Sequence, residues 1–154
     1  MRRFIFSFVC LSLIIISNSA SFEQERIILE FIERLDEKNV VDLNHLKKYF
    51  DEDSSMRWTI PKNSDARRGF EEIKTHLSSW WKKTPDARSK VLDVTSKGNF
   101  IFVDALFIGT FPSGQKFEIP YFVKFSMRVD KIKHGVVYAD FGSYFKGAGE
   151  TTEL

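Results

Sequence analysis

Apolar positions change period part-way along the chain, and the change separates a helical first half from a strand-rich second half. From residue 22 to about residue 38, Ile28, Phe31, Ile32 and Leu35 recur at the i, i+3, i+4, i+7 spacing of one helix face, with Glu30, Glu33 and Arg34 outside it. This predicts an amphipathic first helix. Asp42 stands as an N-cap before Leu43, Leu46 and Phe50, which predicts a short second helix ending near Asp51-Glu52-Asp53. Met56 to Ile60 reads as a short strand stopped by Pro61. After a polar loop from Lys62 to Arg68, the residues Phe70, Ile73, Leu77 and Trp80 or Trp81 restore helical spacing, and Pro85 closes this third helix.

Only strands follow. They are expected over Arg88 to Thr95, Phe100 to Phe111, Gln115 to Val129 and Gly135 to Tyr144, joined by Ser96-Lys97-Gly98-Asn99, by Pro112-Ser113-Gly114 and by a polar turn from Asp130 to His134. The third of these strands alternates: Phe117, Ile119, Tyr121, Val123, Phe125 and Met127 share one face, which should pack on the helices. In the second strand both faces are largely apolar, with Phe100, Phe102, Leu106 and Ile108 opposite Ile101, Val103, Phe107 and Phe111. A sheet covered on both sides would meet something on its outer face, most simply a second copy of the chain.

The N-terminus is a separate matter. Arg2 and Arg3, an apolar run from Phe4 to Ile16 and the small polar exit Ser17 to Ser21 follow the order of a secretory signal peptide. The run is too short for a membrane span of about 17–25 apolar residues. Cleavage is expected near Ala20, leaving a domain over 21–146, a flexible tail over 147–154, and no stable membrane insertion. The destination is the extracellular space in preference to the endoplasmic-reticulum lumen. Removing residues 1–20 changes the charge, because Arg2 and Arg3 leave with it. The net +2 of the whole chain falls to zero, which makes nucleic acid a poor partner. Cys10, the only cysteine, also leaves, so the mature chain is held by its core or by association rather than by disulfides.

The order helix, helix, short strand, helix, then four antiparallel strands resembles the nuclear transport factor 2-like superfamily, in particular its SnoaL-like branch. The resemblance covers about residues 22–146. It is carried by Phe31-Ile32-Glu33-Arg34-Leu35-Asp36, by Tyr49-Phe50-Asp51-Glu52-Asp53 with Trp58-Thr59-Ile60-Pro61, by Arg68-Gly69-Phe70-Glu71-Glu72-Ile73, and by Phe125 to Ile132 with Tyr138-Ala139-Asp140. It implies an α+β roll: a curved antiparallel or mixed sheet wrapped as a cone around three N-terminal helices, with a pocket at its open end and dimerisation through the sheet. It does not fix an activity, because the same cone serves isomerases, cyclases, dehydratases and plain binding domains. Family enzymes that move protons often carry an acid just before the Pro-rich loop, where this chain has Ile60. Others use an acid on the last strand, which falls at Val137 in one register and near Asp140 in the other.

The candidate acids are therefore Asp140 and Asp104, the latter set in an otherwise apolar strand where a carboxylate is costly unless paired or wet. Tyr121 and His76 are the candidate polarising donors. Trp58, Ile60, Trp80, Phe125 and Tyr138 are the candidate ligand contacts. No His/Asp/Glu pair has metal-ligand spacing, no nucleophile motif is present, and no cofactor is expected. The reading that follows is a secreted domain holding a small apolar or amphipathic molecule in its cone without chemistry. A divergent SnoaL-like isomerase, cyclase or dehydratase using one of these Asp residues is the catalytic alternative. A structural dimer with a filled cone is a third, and it predicts no cavity of ligand size.

Overall fold

The computed structural model describes residues 21–37, 43–59 and 65–140. The signal segment, Ile60 and the tail lie outside the described residues. Helix α1 spans 21–35, and its stripe of Ile27, Ile28, Phe31, Ile32 and Leu35 is buried. A 3-10 helix, Leu43–Tyr49, buries Leu43, Leu46 and Tyr49. Helix α2, Gly69–Lys83, buries Phe70, Ile73 and Leu77. The Glu72 carboxylate reaches back to accept from the Arg68 backbone N–H at 2.9 Å, satisfying one donor of the α2 start. At the other end Thr84 N–H and Oγ1 both reach the Trp80 carbonyl at 3.2 Å.

Six strands form one open mixed sheet in the order β2-β1-β6-β5-β4-β3. They are β1 (Phe50–Trp58), β2 (Arg67–Arg68), β3 (Arg88–Lys97), β4 (Phe100–Thr110), β5 (Lys116–Arg128) and β6 (Lys131–Ala139). β1 runs parallel to β6, and every other pairing is antiparallel. The α+β roll implied by the sequence is thus present, with the helices on the inner face of the sheet. That face carries Ile101, Val103 and Ala105 of β4, Val123, Phe125 and Met127 of β5, and Ile132 and Val137 of β6, all buried.

Two boundaries differ from the sequence expectation. The acidic run Asp51-Glu52-Asp53 does not end a helix: it lies in β1, which begins at Phe50 rather than Met56. The charges are tolerated there because Arg128 lies 2.8 Å from Asp51 and 3.5 Å from Asp53, and Lys133 pairs with Asp53. Those cations come from β5 and β6, far along the chain. β6 likewise begins at Lys131, four residues before the expected Gly135, because the β5–β6 turn is only Val129-Asp130. Val129 turns the chain at φ 56, and its carbonyl accepts from Gln24 Nε2 at 2.9 Å.

Candidate functional site

The inner face does not close completely. A main core cluster, built from the helices and β1, β4, β5 and β6, meets a smaller one made of Ala87, Phe107, Phe111 and Ile119. Trp80, Tyr121 and Ala139 pack against both. At this seam lies a cavity of about 80 Å³ lined by Phe31, Ile32, Leu35, Met56, Trp58, Leu77, Trp80, Trp81, Ser89, Phe107, Ile119, Tyr121, Val123, Phe125, Val137 and Ala139. Fourteen of these sixteen are apolar, so the cavity favours an apolar guest. It also exceeds the room one water needs, roughly 10–15 Å³.

The two polar lining residues belong to one constellation. The Tyr121 phenol and the Ser89 side chain both face the cavity. The Ser89 backbone N–H donates to Asp36 Oδ2 at 2.7 Å. Asp36 stands just past the last turn of α1 and next to Leu35, so the three groups come from α1, β3 and β5. Burial pushes the Asp36 carboxyl up from the usual 3.8 to about 6, against the Ser89 hydrogen bond and the positive Arg88, which both act to lower it. Burial likewise pushes the Tyr121 phenol up to about 12, with Ser89 acting to lower it and the Asp36 charge acting to raise it. Asp36 Oδ1 is buried without a hydrogen-bond partner.

His76 sits on α2 between two cavity tryptophans, its ring 4.2 Å from Trp58 and 5.7 Å from Trp80. Burial, aided by the positive Arg67, pushes its pKa down from 6.5 to about 4, so the imidazole is neutral near pH 7. Its Nε2 is also buried without a partner.

Of the residues singled out in the sequence, the cavity gathers Trp58, Trp80, Phe125 and Tyr121, with His76 stacked behind the tryptophans. Tyr138 is 43% exposed on the outer face, 6.2 Å from the Phe122 ring, and does not line the cavity. Asp104 lies between buried Val103 and Ala105 and therefore projects outward, exposed. Asp140 follows Ala139 and is exposed, outside the lining. Val137 and Ala139 face the cavity instead, which fixes the parity of the last strand. Asp36, which the sequence did not single out, does not line the cavity but holds the backbone of the lining residue Ser89. Its only signal is a carboxylate directly after the apolar stripe, where the negative end of the helix dipole disfavours it. Ser89 gives no signal at all. Among the described residues no group of three or more His, Cys, Asp or Glu could hold a metal.

The SnoaL-like domain family profile matches residues 28–135. The chain belongs to the SnoaL-like domain family. No curated protein matches it. Among solved structures, a protein assigned as a SnoaL-like polyketide cyclase from Jannaschia sp. CCS1 is similar over 83% of this chain and 92% of its own, with a TM-score of 0.73 and 14% identity. A protein of ketosteroid isomerase-like fold from Catenulispora acidiphila, in complex with trimethylamine, is similar over 83% and 95%, with a TM-score of 0.70 and 14% identity. The epoxide hydrolase/cyclase-like enzyme SalBIII, from pyran ring formation in salinomycin, is similar over 77% and 92%, with a TM-score of 0.65 and 16% identity. At such identities the likeness is one of fold, and the chemistry of this SnoaL-like domain has to be argued from its own cavity.

Proposed function

We propose that this SnoaL-like domain is a secreted protein that binds a small apolar molecule in its cone without catalysis. The observation that carries the reading is the lining: fourteen apolar side chains and no charged one. The free space of about 80 Å³ sets the ligand's size. It is well below the roughly 300–1,000 Å³ of pockets for drug-sized molecules, so the enclosed part of the ligand is a single ring or a short branched chain. The catalytic alternative, an isomerase, cyclase or dehydratase, would need a carboxyl at the cavity, and none of Asp104, Asp140 and Asp36 is among its lining residues.

Toluene is a suitable probe. Titration followed by amide chemical shifts is expected to show saturable binding of one toluene per chain. Ala139→Phe adds a ring at the half-buried rim of the cavity, and is expected to weaken toluene binding about tenfold or more while the fold persists. Toluene shifts scattered over the whole surface without saturation would overturn the reading.

The same proposal assigns the outer sheet face to a second copy of the chain. Phe102 stacks on Phe122 at 6.1 Å, Phe122 meets Tyr138 at 6.2 Å, and Phe122 and Tyr138 remain 40% and 43% exposed. Asp104 and Lys124 flank these rings in register, Asp104 opposite Phe122 and Lys124 opposite Phe102. A two-fold axis through the patch sets the acid of one copy toward the base of the other. Native mass spectrometry of the chain secreted from a eukaryotic host is expected to give a dimer that begins near Ser21, and Phe122→Lys is expected to give the monomer. A monomeric wild type, or retention of residues 1–20, would contradict the corresponding part of the proposal.

A further inference from the structure

Aromatic rings are concentrated at the cavity beyond what an apolar space requires. All three tryptophans of the chain, Trp58, Trp80 and Trp81, are among its lining residues, together with three phenylalanines and Tyr121. Aliphatic side chains, such as Ile28, Ile73 and Ile101 of the same core, would exclude water equally well. The rings are also steeply inclined to one another. Phe31 meets Phe125 at 85°, Trp80 meets Phe107 at 62° and Trp81 meets Phe107 at 48°. Rings set at such angles around one space wall it on several sides. His76, outside the lining, backs the Trp58 ring at 4.2 Å and, neutral near pH 7, puts no positive charge behind it.

The face of an aromatic ring carries negative potential and attracts a cation, tryptophan most strongly. No charged side chain lines the cavity. Asp36 acts on Tyr121 and Arg67 on His76, both from outside the lining, so the rings set the sign of the interior. Which cation suits it follows from hydrogen bonding. A primary ammonium brings three N–H donors, and only Ser89 and Tyr121 among the lining side chains have an oxygen to receive them. A fully methylated ammonium brings none, and its exterior is made of methyl groups that match an apolar wall.

We infer that the cavity is an aromatic cage for a quaternary ammonium group, held by cation–π attraction to Trp58, Trp80 and Trp81. This rests on the ligand-binding reading above and adds a charge to the ligand. Its methyl surface fills the apolar space, and its positive charge meets the rings.

Choline and its carbon isostere, the dimethylbutanol in which a tert-butyl group replaces trimethylammonium, form the test pair. They share a shape and differ by a charge. A cavity that is only apolar binds the isostere more tightly, because a charge is costly to remove from water. With the cage in place, the full chain at fixed ionic strength is expected to prefer choline by about tenfold. Trp81→Leu and Trp58→Leu keep an apolar side chain and remove a ring, and each is expected to lower choline affinity about fivefold while leaving the isostere within about twofold. Amide-shift titrations give both affinities, and the retained isostere affinity shows that each variant is folded. Tighter binding of the isostere than of choline by the wild type, or binding of toluene without choline, would overturn the cage and leave the apolar cavity standing. A choline preference that survives undiminished in both variants would place the ammonium elsewhere and also overturn it. Binding of none of the three probes would overturn the cavity reading itself.

Discussion

Phe125→Ala is expected to cost the fold about 3–5 kcal/mol, the range for truncating a buried aromatic ring. Phe125 is 2% exposed, meets Phe31 edge-on at 6.1 Å, and is both a member of the main core and part of the cavity floor. Its neighbours are held by other contacts and cannot collapse into the space: Ile101 and Gly135 lie opposite it on β4 and β6, and Phe31 is also pinned by Tyr49 and Phe50 at 5.6 and 5.4 Å. The truncation therefore enlarges the cavity inward. Urea unfolding should show a lower midpoint with little change in slope. Saturating toluene should then restore part of the loss, because a guest that binds only the folded state adds RT ln(1 + [L]/Kd). A near-neutral Phe125→Ala would mean that the ring is not a packed part of the core.

The elements with strong periods were legible in the sequence because their partners are generic. The stripe Ile28, Phe31, Ile32, Leu35 needs only an apolar surface to lie on, and the alternation from Phe117 to Met127 needs only an inside. What escaped depends on particular partners far along the chain. Asp51 and Asp53 look like a helix end until Arg128 and Lys133 are brought beside them. The acid question on the last strand turned on parity alone. A turn read as Asp130 to His134 left Val137 and Asp140 as rivals, whereas the two-residue turn at Val129-Asp130 pairs Phe122 with Tyr138 and sends Val137 and Ala139 inward. Asp36 and Ser89 were invisible for the same reason. Each is unremarkable in its own segment, and only the meeting of the α1 end with β3 ties them together and sets Ser89 against the cavity. The aromatic lining, by contrast, could be anticipated at Trp58, Trp80 and Phe125, since large rings at buried faces are where a cone has its walls.

Asp36→Asn is expected to make the protein more stable at pH 7, by about 1–2 kcal/mol. The Asp36 carboxyl has a folded-state pKa near 6 against an ordinary 3.8, so the folded chain holds this proton more tightly than the unfolded one. Its contribution is favourable below pH 3.8, is lost as pH rises toward 6, and is a fixed penalty above that. At 1.36 kcal/mol per pH unit the displacement is worth about 3 kcal/mol. Partial exposure of the group brings the usable figure to about half of that. His76 has the opposite sign. Its folded-state pKa is near 4 against an ordinary 6.5, so its contribution is fully present above pH 6.5 and is lost as pH falls toward 4, with a similar discounted size of about 1–2 kcal/mol. Between pH 4 and 6 the two slopes cancel, and the wild type should show nearly flat stability across that window. Asp36→Asn removes one of them. Its unfolding free energy, measured in urea at pH 4, 5, 6 and 7, should climb with pH by about the His76 amount. Half-buried Glu30 and exposed Asp53, whose pKa values are lowered chiefly by Tyr49 and by Lys133 respectively, lose their contributions at lower pH and do so equally in both proteins. A variant less stable than wild type at pH 7, with no new slope, would make Asp36 an ionised structural tie to Ser89. A more stable variant would mark Asp36 as a residue whose buried charge the fold does not need.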